Sequence, residues 1–238
     1  MQKIFSSKNN VTTDGGVLLV DKPIEWTSHD VVNFVRGFGF RKVGHCGTLD
    51  PNATGLLVLL IEKATKLTNS FNTEDKTYEG EICLGIETNT QDVDGEVLVE
   101  RDYSGVSEDL IHTTFAKFVG PQQQIPPMVS AKKVDGQPLY KLARKGIVVE
   151  RKPVPITIYE LTIKKIALPL VSFFIRCSKG TYVRTVSFDI GQIIGCGACL
   201  HSLRRLESGH FKLADAYPIS EIRTWDKSKL LQNCIPLN

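Results

Sequence analysis

The junction at Gly55 constrains the fold most. A stretch dense in turn residues, Gly44-His45-Cys46-Gly47-Thr48-Leu49-Asp50-Pro51-Asn52-Ala53-Thr54-Gly55, runs directly into an apolar strand, Leu56–Ile61. Its glycines let the backbone pass close to other chain without a Cβ clash. Pro51 turns Asp50 away from helical geometry and towards an extended one. A lone carboxylate is thereby placed directly before an apolar strand. Two readings follow: an Asp-Pro pair that merely opens a turn, or a loop that presents Asp50 for chemistry.

The chain has 238 residues, enough for one large domain or two small ones. Hydrophobic residues make up 42% and charged residues 23%, ordinary values for a globular protein. The first dozen residues are polar and lack the apolar run of a signal peptide. Leu56–Ile61 is the longest apolar run and falls far short of the ~18 residues of a membrane span. A cytoplasmic protein is expected, with its six cysteines reduced. Cys196 and Cys199 form a C-x-x-C, but a second ligand pair for zinc is missing, so buried thiols are the expectation.

Net charge is only +3, but it is unevenly spread. Lys117–Arg184 holds 13 basic and 3 acidic residues, a local balance of +10, so the remainder sums to −7. That dipolar layout suits a polyanion held on one part of the surface, or simply solvated strand and helix faces.

Along the chain, Gly16–Val20 reads as a strand, Asp21-Lys22-Pro23 as a turn and Ser28 as a helix N-cap. Val31, Val32, Val35 and Phe38 supply that helix's apolar face. After Leu56–Ile61 comes a short helix near Ala64–Ser70. Thr77–Leu84 alternates as a half-buried strand, with Tyr78, Gly80, Ile82 and Leu84 on one face. Ser107 opens a helix that ends near Val119. Residues 121–155 are the least regular part, punctuated by six prolines, with a hairpin turn at Asp135-Gly136 and a short helix over Leu139–Lys145. Ile156–Ile166 and Leu170–Cys177 read as strands and Tyr182–Ile194 as a helix. This mixed order predicts an α+β fold with a central, largely antiparallel sheet flanked by helices.

Motifs for nucleotide cofactors and metals are missing: no G-x-x-x-x-G-K-[ST], no convincing G-x-G-x-x-G before a helix and no H-E-x-x-H. No G-x-S-x-G surrounds a serine. No cofactor and no metal are expected. Lys179-Gly180-Thr181-Tyr182-Val183-Arg184 places Arg184 in the first turn of a helix, where a guanidinium can grip a carboxylate in two-pronged fashion and hold it ionised. Tyr78 sits where its ring can stack on a base, or else fill the core.

Five motifs now line up: Gly16–Pro23, Gly44–Gly55, Lys76–Gly80, Pro126–Arg144 and Gly180–Arg184, with Leu203-Arg204-Arg205 as a sixth. In that order and spacing the chain resembles the TruB-type pseudouridine synthases, over most of residues 16–210. The resemblance implies a pseudouridine synthase fold that isomerises a uridine, U55 in the usual bacterial member, in the T loop of tRNA. It implies Asp50 as the catalytic aspartate, Tyr78 stacked on the target uracil and Arg184 paired with Asp50. It further implies His45 filling the gap left by the flipped base, Lys22 supporting the loop and Leu203 packing in the pocket. Residues 121–155 would be a basic RNA-gripping insertion using Lys132, Lys133, Lys141, Arg144, Lys145, Arg151 and Lys152. The chain departs from the family's pattern at Val129 and Lys132. Only 23 residues follow Asp215, too few for the family's PUA-type domain of ~50 residues or more, so a single catalytic domain over residues 1–238 is expected. The T arm of tRNA is the expected partner, with no membrane, no required protein partner and a monomeric state. Two alternatives are a non-catalytic RNA-binding or RNA-folding protein and an aspartate-dependent glycosidase. The latter needs a second carboxylate, for which Asp92 and Asp94 are the nearest candidates.

Overall fold

A computed structural model of the chain describes residues 15–71, 73–130, 132–134, 136–143 and 145–237. In chain order the strands and helices are β1 (Gly15–Lys22), α1 (Ser28–Arg36), β2 (Val43–Cys46), β3 (Ala53–Glu62), α2 (Thr68–Phe71), β4 (Lys76–Leu84), β5 (Ile86–Thr88) and β6 (Val97–Glu100). They continue as α3 (Glu108–Lys117), β7 (Gly120–Gln124), β8 (Lys133–Val134), β9 (Gln137–Pro138), α4 (Leu139–Ala143), β10 (Val154–Ala167), β11 (Leu170–Cys177), α5 (Val183–Ile194) and β12 (Ala198–Ser208). The chain ends with β13 (Phe211–Lys212), β14 (Tyr217–Pro218), α6 (Ile219–Ile222) and α7 (Lys227–Gln232). Contacts divide it into two compact units, residues up to Tyr78 with those from Arg204 onward, and Glu79–Leu203. The divisions fall inside β4 and β12.

The first unit is built on β3. Its order is β14–β1–β3–β12, with β2 also on β3 and β13 on β12. β1 and β14 pair in parallel; β1–β3, β2–β3 and β12–β13 are antiparallel. Every residue from Gly55 to Ile61 is buried, because both faces of β3 are covered. Leu56, Val58 and Leu60 join Val17, Leu19, Phe71 and Phe211 in one core. By strand alternation Leu57, Leu59 and Ile61 face the other way. Helix α1 buries Val31, Val32 and Val35, while Phe38 lies beyond its end and is half-buried.

The second unit carries β4–β11–β10–β7, with β10–β11 a long antiparallel hairpin. Helix α3 contributes Ile111 and Phe115 to its core, and α5 contributes Val183, Val186 and Ile190. The Phe115 and Phe173 rings meet at 6.5 Å between centroids. The α+β class and the largely antiparallel pairing expected from the sequence are both present.

Four local readings change. Asp21 and Lys22 are strand, not turn, because both pair with β3, Lys22 opposite Gly55. Thr27, not Ser28, caps α1: Asp30 N–H donates to Thr27 Oγ1 at 3.0 Å, and Thr27 N–H donates back to Asp30 Oδ2 at 2.8 Å. This reciprocal capping box satisfies two end groups at once. Strand β4 is buried at both ends, Lys76–Tyr78 and Ile82–Leu84, rather than alternating, since each end is covered on both faces. Residues 120–124 and 154–155 are ordinary antiparallel strand within the stretch read as irregular. Asp135, half of the expected hairpin turn, lies outside the described residues, but Val134 pairs with Gln137 as such a turn requires.

Gly55 explains why the loop-to-strand junction tolerates no side chain. It stands at φ +97°, and a Cβ there would lie 2.4 Å from the Arg205 carbonyl oxygen. Gly105 has open space around it. Gly55→Ala is expected to lose about 3 kcal/mol of stability or more, from backbone strain plus overpacking. Gly105→Ala should stay within about 0.5 kcal/mol of wild type. Urea unfolding of the two variants checks this.

Candidate active site

The backbone around Asp50 is pinned on both sides by residues 22–28. Leu49, before it, is held by Ser28: the hydroxyl accepts from Leu49 N–H at 2.9 Å and donates to its carbonyl at 3.1 Å. Pro51, after it, offers its carbonyl to Lys22 Nζ at 3.1 Å and to the Glu25 N–H at 3.0 Å. Glu25 makes this bond from φ +67°, a left-handed conformation that non-glycine residues rarely adopt. Asp50 closes its own turn, its carbonyl accepting from Ala53 N–H at 3.0 Å. Asp50 itself is half-buried, between buried Leu49 and exposed Pro51.

Lys22 is fully buried as a residue. Its ammonium donates to three carbonyls, Pro23 at 2.8 Å, Trp26 at 2.5 Å and Pro51 at 3.1 Å. Burial pushes its pKa down to about 8, the nearby Asp50 and Asp30 charges pull it back up, and Arg205 lowers it again. Lys22 is therefore a cation coupled electrostatically to Asp50 and tied to the peptide that follows it.

Arg205 is a buried cation that the sequence reading left without a role. It is 1% exposed, and its Nε donates to the Leu56 carbonyl at 2.6 Å. Desolvation holds its pKa below the ordinary arginine value, opposed by the charge and hydrogen bond of Tyr78. Its Nη1 would lie 3.1 Å from a Cβ on Gly47, which explains the glycine there. The guanidinium thus connects β3, the Gly47 bend and the Tyr78 hydroxyl. Tyr78 is 8% exposed, so its ring is built into the unit rather than displayed on a surface. The signal for Arg205 was present in the sequence as strand alternation. On β12, Arg204 and Arg205 must point to opposite faces. Arg204 goes outward to Asp21 Oδ2 at 2.7 Å, so Arg205 goes in.

His45, on β2, is half-buried. Burial lowers its pKa, assisted by Arg205 and His29, so it is neutral near pH 7. Its Nδ1 and Arg205 Nη2 are among the buried polar atoms without a hydrogen-bond partner. Cys46 is buried and its thiol is pushed up to about 11, which makes it a poor nucleophile.

The second unit holds the other expected residues. Tyr182 caps α5, and Arg184 lies in its first turn, 4% exposed. Its Nη1 donates to the Thr90 carbonyl at 3.1 Å and to Asp92 Oδ2 at 3.4 Å, and its Nη2 to the Val129 carbonyl at 2.9 Å. Asp92 is itself fixed, accepting from Thr90 Oγ1 at 2.6 Å and from Asp94 N–H at 3.2 Å. The sequence reading named Asp92 as a candidate second carboxylate and did not see it as Arg184's partner; the two are 92 residues apart. Leu203 is half-buried beside Gly80, its Cδ1 3.1 Å from where a Cβ would stand. Lys132 is half-buried, whereas Lys141 and Lys145 are exposed in and just after α4. Arg144 lies outside the described residues. Cys196 and Cys199 are buried and free, as expected for packed thiols. Among the described residues no cluster of three His, Cys, Asp or Glu side chains is placed to hold a metal, and no helix is long and apolar enough to cross a membrane.

The depressed pKa of Lys22 has a signed consequence. Between about 8 and 10.5 the unfolded chain binds a proton that the folded chain does not, so stability from this group rises with pH across that window. Below pH 8 the penalty of burying the charge is fully present. The unfolding free energy of wild type relative to Lys22→Met should therefore increase between about pH 7.5 and pH 9.5. Urea titrations at the two pH values measure it, and a flat difference would contradict the depressed pKa of Lys22.

Residues 35–183 match the TruB family pseudouridylate synthase N-terminal domain, and residues 184–237 match the tRNA pseudouridylate synthase B C-terminal domain. The tRNA pseudouridine synthase B of Opitutus terrae is 49% identical over 223 residues, covering 93% of this chain and 92% of that protein. The protein of the same name from Syntrophotalea carbinolica is 46% identical over 208 residues, covering 87% of this chain and 68% of that protein. Among solved structures, a chain from a Cbf5–Nop10–Gar1 complex superimposes with a TM-score of 0.73 at 27% identity, covering 94% of this chain and 60% of that chain. With a family model matching well over half its length and a relative matched nearly end to end, the chain belongs to the TruB family of pseudouridylate synthases.

Proposed function

We propose that this protein converts one uridine of tRNA to pseudouridine, the T-loop uridine U55, with Asp50 as the catalytic carboxylate. The observation that carries the reading is the clamp on Asp50: one acid on a bent loop, with both flanking peptides hydrogen-bonded to residues 22–28 and a lysine charge coupled to it. A pure RNA binder has no need of a single carboxylate held in this way. A glycosidase needs two carboxylates working together, and the second candidate, Asp92, is committed to Arg184.

In the proposed reaction the target base leaves the stack of the T loop, at a cost of a few kcal/mol. Tyr78 offers its ring to the uracil, with its hydroxyl held by Arg205. Asp50 acts on the nucleotide and the N1–C1′ bond breaks. The uracil turns over and a C5–C1′ bond forms, C5 giving up its proton and N1 taking one. Atoms are conserved, so the isomerisation balances without a redox partner or energy source. Arg184 pairs with Asp50 in this scheme, as a guanidinium with five donors can serve two carboxylates. Its firm seating on Asp92, Thr90 and Val129 supports that role, because a restrained guanidinium loses little freedom on engaging another acid. His45 occupies the gap left by the flipped base, and its neutral ring suits insertion between bases. Leu203 packs against the flipped base, and Asp92 serves substrate binding through Arg184.

Residues 121–155 grip the RNA backbone, with Lys132, Lys141, Arg144 and Lys145 as phosphate contacts; the exposure of Lys141 and Lys145 supports this. The chain acts as a single catalytic domain, as a monomer without a protein partner, in the cytoplasm. Loops of RNA are read by shape and splayed bases, which suits a basic insertion.

Incubation with unmodified tRNA, followed by mapping of pseudouridine, tests the assignment. Wild type should modify one T-loop uridine, whereas Asp50→Asn should bind tRNA and modify none. Conversion by Asp50→Asn would end the reading. For the insertion, Lys141→Ala combined with Lys145→Ala should weaken tRNA binding and reduce the salt slope by about 1–2. An unchanged slope in filter-binding titrations would count against the grip.

A further inference from the structure

We infer that Ser28 is a positioning residue for Asp50, setting the reach of the carboxylate through the Leu49 peptide; this rests on reading Asp50 as the catalytic acid. Ser28 is the first residue of α1, 2% exposed, while Leu49 is 3% exposed. The hydroxyl both accepts from Leu49 N–H at 2.9 Å and donates to Leu49 C=O at 3.1 Å. One side chain therefore satisfies both polar groups of the residue preceding Asp50. This double use explains why Ser28 does not cap its own helix: Thr27 does so.

The geometry distinguishes Ser28 from the other members of the clamp. Lys22 and Glu25 hold Pro51, on the C-terminal side of Asp50, through an ammonium and a backbone N–H. Ser28 holds the N-terminal side by side chain, where neither of the other two reaches. A backbone fixed on one side only leaves the Asp50 Cα free to pivot about Pro51. The helix that carries Ser28 is anchored in the core by Val31, Val32 and Val35, so the hydroxyl is a fixed reference point. Ser28→Ala takes both bonds from a buried peptide, and the loop must shift to find water for it.

A misplacement of an ångström at a reacting group costs up to about 100-fold in rate. The test is the single-turnover rate of pseudouridine formation on unmodified tRNA at saturating enzyme, with tRNA affinity and thermal unfolding measured in parallel. Ser28→Ala should slow turnover about 10- to 100-fold while tRNA affinity stays at the wild-type value. Ser28→Cys, close in size and able to make weaker bonds in both directions, should recover part of the rate. Ile111→Ala, fully buried on α3 and apart from the clamp, should lose comparable thermal stability yet turn over at the wild-type rate. A wild-type rate for Ser28→Ala, or an equal loss for Ile111→Ala, overturns the inference. If Ser28→Ala does not fold, Ser28→Cys decides: a slowed rate with unchanged affinity supports the role, and a wild-type rate refutes it. Asp50→Asn separates the two levels. If it is inactive while Ser28→Ala runs at full rate, only the Ser28 role falls; if it converts uridine, the catalytic reading falls and the Ser28 role with it.

Discussion

A guanidinium buried at the centre of the first unit dictates much of what surrounds it. Burying a cation is costly unless its donors are matched. Arg205 meets part of that demand with the Leu56 carbonyl and the Tyr78 hydroxyl, while its Nη2 has no hydrogen-bond partner. Each partner then becomes a constraint. Strand β3 must approach β12 closely, so Gly55 has no room for a Cβ. The chain must bend away at Gly47, beside the guanidinium. Tyr78 is held by its hydroxyl, which fixes the tilt of the ring proposed to meet uracil. The loop between Gly47 and Gly55 thus runs between two close approaches to Arg205, to its guanidinium at Gly47 and to its backbone at Gly55, and Asp50 lies on it.

The clamp from residues 22–28 adds the finer adjustment. It uses three chemically different donors or acceptors: a lysine ammonium, a strained backbone N–H at Glu25 and a serine hydroxyl. Of these, the Ser28–Leu49 pair is buried, the Lys22–Pro51 bond is part-buried, and Glu25 and Pro51 are exposed. Strain at Glu25 is tolerated because it delivers a hydrogen bond beside the acid, the kind of place where backbone strain collects in functional sites. The second unit treats its own key cation in the same manner. Arg184 is seated by a carboxylate and two carbonyls before any substrate arrives, which reduces the reorganisation left for the reaction itself.

Much of this was legible along the chain because it depends on local pattern. The Leu56–Ile61 run announced an apolar strand, and β3 is one. Ile156–Ile166 and Leu170–Cys177 were recognisable from β-rich composition and pair as a hairpin. The α5 start at Tyr182 and the α3 cap at Ser107 followed from turn and capping chemistry. The misreadings were those in which two similar residues competed or distant chain intervened. Thr27 and Ser28 are both good caps; tertiary demand from Leu49 drew Ser28 away and left the cap to Thr27. Alternation in β4 failed because its ends are covered on both faces, which no single strand's sequence can announce.

The amino-acid sequence by itself determined the secondary elements, the α+β class, the family and the single acid at residue 50, since propensity, periodicity and motif spacing act between near neighbours. Tertiary structure alone decided what that acid's surroundings do. Hydrogen bonds spanning 21 residues from Ser28 to Leu49, 29 from Lys22 to Pro51 and 149 from Arg205 to Leu56 have no signature in local pattern. Their worth comes from burial, which removes competing water, and burial exists only once the chain has folded.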